Sequence, residues 1–129
     1  ALMAIKEVKS INAPQAIGPY SQAINYNGLC FLSGQIPLDK SGQLVKGGLR
    51  VQAEQVFKNI EAILVEQEST LKNIIKLNVY LIDIGDFDVV NNLMTELFKK
   101  PYPARALVEV SALPKNSSIE IEAIAHIPL

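Results

Sequence analysis

The run IEIEAIA, residues 119 to 125, admits one regular structure. Its apolar residues recur at every second position, which is the period of a β-strand and not the three- and four-residue spacing of a helix. Ile119, Ile121, Ala123 and Ala125 therefore share a face that excludes Glu120 and Glu122. Residues 105 to 111, also rich in Val and bounded by Pro and Ser, predict a second strand, and the connection ALPKNS predicts that the two form a hairpin.

Such a hairpin sets Arg105 and Glu120 on paired strands, with Arg105, Leu107 and Glu109 on one face. A guanidinium is a rigid fork that fits a carboxylate bidentately, and a glutamate in apolar surroundings has its pKa pushed upward toward proton-transfer range. Arg105 and Glu120 are thus the candidate catalytic pair for a small acid substrate. A structural ion pair, or two charges facing solvent, accounts for the same residues equally well.

At 129 residues the chain, 1–129, fits one domain with a substantial core. Twelve basic against 13 acidic residues leave it near neutral, and no Lys/Arg run supplies the footprint that a phosphate backbone requires, so nucleic acid is excluded as a main partner. The single cysteine, Cys30, cannot form an internal disulfide and sits in an apolar run, which suits a small buried core residue in a reducing compartment. The opening ALMAIKEVK is too short an apolar run for a secretory signal, and no stretch approaches the roughly 18 apolar residues of a membrane span. A soluble, cytoplasmic protein is expected.

From the N-terminus, residues 5 to 9 alternate as a short strand and lead into the loop NAPQAIGPYSQ, where Tyr20 offers an aromatic face and a hydroxyl, for packing or for a ligand. QAINY and LCFLSGQI flank Asn27-Gly28, whose ease at positive φ suits a two-residue hairpin turn. Ser33, on the face of Phe31, can donate to a bound carboxylate or be satisfied by nearby backbone, and Gly34 permits close approach. Ala53, Val56, Phe57, Ile60, Ile63 and Leu64 form the apolar stripe of a helix over 49–67. Residues 73 to 83 predict a central strand with Ile75, Leu77, Val79 and Leu81 on one side and Ile74, Lys76, Asn78 and Tyr80 on the other. Asp86 is placed to cap a second helix, striped by Val89, Val90, Leu93, Leu97 and Phe98 and ended at Pro101, with Met94 as core.

The sum is an α+β sandwich of about six strands and two helices. Two helices cover one sheet face, yet strand residues on the other side are apolar too, so that face is expected to pack on copies of the same chain, with a site at the sheet rim between subunits.

Four stretches, IGPYSQA at 17–23, FLSGQIP at 31–37, PARALVEVSALP at 103–114 and IEIEAIA at 119–125, together with Val90-Asn91, resemble the RidA (YjgF) family over essentially the whole length. The resemblance implies a chorismate-mutase-like fold with a mixed sheet and two helices on one face, assembled as a homotrimeric barrel with clefts between subunits. It implies hydrolysis of reactive 2-imino acids and their enamine tautomers, such as 2-iminobutanoate, 2-iminopropanoate and 2-aminoacrylate, to 2-oxo acids and ammonia, with no cofactor and no metal. Arg105 would clamp the substrate carboxylate, Glu120 would activate the water, Ser33 and Tyr20 would complete the pocket, and Asn91 and Gly34 would support it. Many members follow the arginine with a small hydroxyl residue and a cysteine; here Ala106 and Leu107 stand there, which argues against a thiol-dependent role but leaves the backbone groups at those positions able to bind substrate. A non-enzymatic trimer that binds small carboxylates, as a regulator or chaperone, would have a similar pocket. His126, alone at the end of the last strand, has no companion ligands and is expected at an edge.

Overall fold

The alternation at the C-terminal end is realised as β6 (Ile119–His126), an interior strand of a six-stranded sheet in the computed structural model, which describes residues 4–128. The strand order is β1 (Lys6–Val8), β2 (Ala23–Tyr26), β3 (Leu29–Gln35), β6, β4 (Ile74–Leu81) and β5 (Ala104–Glu109). All neighbours are antiparallel except β4 and β5, so the sheet is mixed. Asn27 and Gly28, at φ 51° and 82°, close the β2–β3 hairpin with Tyr26 opposite Leu29, the left-handed conformation that this dipeptide tolerates.

Helix α1 (Leu49–Val65) buries the full predicted stripe, from Ala53 to Leu64, against the β3 and β6 side of the sheet. Helix α2 (Phe87–Leu97) packs on α1 and buries Val90, Leu93 and Met94, while Leu97 stays partly exposed. Asp86 occupies the N-cap position of α2 but makes no side-chain cap bond. That service falls to Asp83, whose carboxylate accepts from the Gly85 N–H at 2.8 Å and so starts the 3₁₀ turn leading into the helix. Ile119, Ile121, Leu77, Val79 and Leu81 are fully buried between the sheet and the two helices.

Two expectations fail for identifiable reasons. β5 and β6 are not a hairpin, because β4 lies between them: Arg105 pairs with Leu77, and Leu77 in turn pairs with Ala123. The chain from β4 through α2 to β5 is a crossover that lays β5 parallel beside β4. The connection 110–118 then straddles the end of β4, where the Val110 N–H donates to Leu81 O at 2.8 Å and the Ile82 N–H to Ser118 O at 3.2 Å. The second failure concerns β4, where a register shift between Ile74 and Lys76 breaks the alternation. Ile74 turns into the core and Ile75 is left outside, the reverse of the expected faces.

The sheet face away from the helices carries Phe31, Val108 and Ile75, all exposed in the single chain, with Phe31 directly opposite both Ile24 and Ile124. Cys30 is fully buried, and that burial pushes its thiol up to about 11.

Candidate active site

Arg105 leaves β5 on the helix side of the sheet and lies along α2. Its Nη1 donates to Asn91 Oδ1 at 2.7 Å and to Met94 Sδ at 3.4 Å, and its guanidinium carbon stands 5.4 Å from the centroid of the Phe87 ring. Phe87, Asn91 and Met94 follow one another at i, i+4 and i+7, the stripe a helix presents on one face. No carboxylate pairs with Arg105 among the described residues, so the Nε and Nη2 edge of the fork is free. Beside it opens a cleft of about 390 Å³ lined by Asn91, Met94, Thr95, Tyr102, Pro103 and Arg105.

Glu120 stands on the opposite face, opposite Tyr80 on β4. Its side chain presses on Gly34, where an added β-carbon would come within 2.9 Å of the Glu120 carboxyl carbon and closer still to an oxygen. β3 is irregular there: Leu32 pairs with Ala123 and Gln35 with Ile121, so Ser33 and Gly34 together oppose one residue of β6. The bulge and the missing side chain make the space that the carboxyl fills. Burial, and then the like charge of Glu122, hold the Glu120 carboxyl above the usual carboxylate range.

Tyr20 sits on a loop pinned on one buried glutamine. The Gln22 amide accepts from the Ser10 N–H at 2.6 Å and donates to Ser10 O and Pro14 O. Tyr20 and Gly34 share a recess of about 30 Å³, and the Tyr20 ring is 47% exposed. The Ser33 hydroxyl donates to Ser21 O at 2.6 Å, so its proton is engaged by backbone and what it can offer a ligand is its lone pairs.

The candidate residues thus fall into two groups. Arg105 and Asn91 form one; Tyr20, Ser33, Gly34 and Glu120 form the other. Arg105 and Glu120 are separated by two strand spacings and three residues along β4, roughly 14 Å between backbones, before their side chains diverge to opposite faces. Ala106 is exposed on the Glu120 side, and Leu107 packs against the core instead of lining the Arg105 cleft. His126 is exposed at the end of β6. Among the described residues no cluster of His, Cys, Asp and Glu could hold a metal, and no helix is long and apolar enough to cross a membrane.

Residues 10–127 match the family model described as Endoribonuclease L-PSP. The chain belongs to the RidA (YjgF) family. It is similar to a RutC family protein of Pyrococcus horikoshii, at 51% identity over 89% of this chain and 92% of that one. It is also similar to human 2-iminobutanoate/2-iminopropanoate deaminase, at 47% identity over 92% of this chain and 87% of the human one. The crystal structure of RidA from an Antarctic Psychrobacter superposes with a TM-score of 0.90 at 41% identity, covering 95% of this chain and 99% of that chain. Names within the RidA family therefore differ, and only some of them specify a reaction.

Sequence reasoning missed two parts of this geometry. Phe87, beneath the arginine, was legible as the i−4 neighbour of Asn91 once the helix was placed. The second is a polar group on the open sheet face, where Tyr80 donates its hydroxyl to Glu122 and the Asn78 amide donates to the same carboxylate at 3.2 Å. Accepting that hydroxyl, Glu122 helps push the Tyr80 phenol up to about 12. Residues 76, 78 and 80 on β4 and 120 and 122 on β6 alternate toward one face, and that spacing was the available signal.

Proposed function

We propose that this chain is a cofactor-independent hydrolase of small 2-imino acids and their enamine tautomers, working as a homotrimer with its sites between subunits. The observation that carries the proposal is the free edge of the Arg105 fork, held in a cleft with no carboxylate of the described residues against it. An unpaired guanidinium there is ready for a small anionic group. Glu120, the one candidate acid with an upward-shifted pKa, lies on the other sheet face of the same chain. A site needing both is completed by a neighbouring copy, and the exposed Phe31, Ile75 and Val108 give that copy an apolar surface to pack on. The deaminase named in the human relative performs a reaction that these two groups suit.

In the proposed reaction the substrate carboxylate binds the Nε and Nη2 edge of Arg105, which fixes the imine carbon in place. Glu120 of the neighbouring copy takes a proton from water as the water oxygen bonds to the carbon of the protonated imine, and the C=N π pair moves to nitrogen. Glu120 then returns its proton to the nitrogen of the carbinolamine, which becomes an ammonium group. The C–N bond breaks with its electron pair leaving on that nitrogen as ammonia, while the Glu120 carboxylate takes the carbinol O–H proton and the oxygen forms the carbonyl. Ammonia then takes that proton from Glu120, which leaves a 2-oxo acid and ammonium. An upward-shifted carboxyl serves these transfers better than an ordinary one, since it holds the proton more readily at the second step.

The test is dehydratase-coupled imine hydrolysis over several amino acids, wild type against Arg105→Ala. Expected is loss of turnover with assembly intact by sedimentation. Near-normal deamination by the variant overturns the assignment, and 2-oxobutanoate binding by a wild type that does not accelerate imine decay would instead favour a carboxylate-binding regulator.

A further inference from the structure

We infer that Phe87 is a positioning residue for Arg105: its ring is the platform that aims the free edge of the guanidinium into the cleft. The inference rests on the proposed function and refines it, assigning a role in carboxylate binding to a residue whose ring stands 5.4 Å from the guanidinium carbon.

Three contacts fix the guanidinium, two at one corner and one at its face. Asn91 Oδ1 and Met94 Sδ both take hydrogen bonds from Nη1, at 2.7 and 3.4 Å, and tie down one corner of the fork. A planar group held at one corner still rotates about it. The Phe87 ring, 5.4 Å from the guanidinium carbon, lies within the distance at which a cation is attracted to a ring face, and so opposes that rotation. Phe87 begins α2, and Asn91 and Met94 stand four and seven residues on, so a single rigid helix carries all three contacts. The ring is 39% exposed in the single chain and lies outside the buried core cluster. A large exposed aromatic whose assigned neighbour is the one unpaired arginine of the cleft is accounted for by that neighbour.

The cost of losing the platform is bounded by the size of such contacts. At partly exposed sites they correspond to about a twofold to fivefold change in an equilibrium. Phe87→Leu is therefore expected to weaken 2-oxobutanoate binding about fivefold and to raise KM in parallel, with kcat changed less than twofold and the melting temperature within a few degrees of wild type. Phe87→Tyr, which keeps the ring, restores both KM and affinity. Unchanged affinity in Phe87→Leu, or a Tyr variant as weak as the Leu variant, overturns the inference.

A second measurement separates this failure from failure of the deaminase proposal. The Arg105 side-chain resonances, assigned by their loss in Arg105→Lys, are expected to carry a ring-current shift that disappears in Phe87→Leu and persists in Phe87→Tyr. No change in those resonances sinks the positioning role whatever the enzyme does. A wild type without imine hydrolysis, but with the shift present, sinks the deaminase assignment alone.

Discussion

The Glu120 carboxyl occupies the volume that a side chain at Gly34 would need, so the strand bulge and the placement of this carboxyl are parts of one device. Gly34→Ala is expected to push the carboxyl aside, since the atoms in the way are the far end of a flexible side chain and not backbone. Stability should fall by about 1 kcal/mol or less, because the surroundings can yield. Turnover in the imine assay should fall by about tenfold or more, in line with misplacing a group that transfers protons. A variant with full turnover would show that the position of Glu120 is immaterial.

A pH dependence follows from the raised Glu120 carboxyl. The folded chain holds this proton to higher pH than an unfolded glutamate does, so it binds more protons in the interval between the two values. The stability this group contributes is present below that interval and is lost as pH rises through it. As a base in the proposed reaction Glu120 works above its raised pKa, so the acid limb of kcat should lie above the ordinary carboxylate range. Glu122→Gln removes the like charge, the second cause of the shift, and should move that limb to lower pH. Coincident limbs in the two pH–rate profiles would rule Glu120 out as the group responsible.

On the open sheet face, Phe31 stands between Ile24 and Ile124. If copies pack there, Phe31→Asp places charges in a dry interface and should convert the assembly to monomers in sedimentation velocity. Activity should vanish with it, because Arg105 and Glu120 are then left on opposite faces of single chains. Full assembly in the variant would place the contact elsewhere.

The irregularity in β4 reverses the expected ranking of two neighbouring isoleucines. Ile74→Ala empties a buried site and should cost about 2–5 kcal/mol in urea unfolding. Ile75, 47% exposed in the single chain, should cost about 1 kcal/mol or less in a dissociated background such as Phe31→Asp. Equal losses would mean that the alternation is unbroken.

Local pattern fixed whatever depended on local chemistry. The strict alternation of Ile119 to Ala125, the stripe from Ala53 to Leu64 and the positive-φ dipeptide Asn27-Gly28 named the last strand, the first helix and the first hairpin, because each follows from how neighbouring residues share a face or a turn. The α+β class and the two helices on one sheet face followed from counting such elements. Which strands meet was decided elsewhere. Ile119 to Ala125 would alternate identically beside β5 or beside β4, and only the packing of α2, which carries the chain across and returns it parallel to β4, parts Arg105 from Glu120. A strand's backbone bonds are the same with any partner, so pairing is settled by which apolar faces can be buried together, and that is a property of the whole chain.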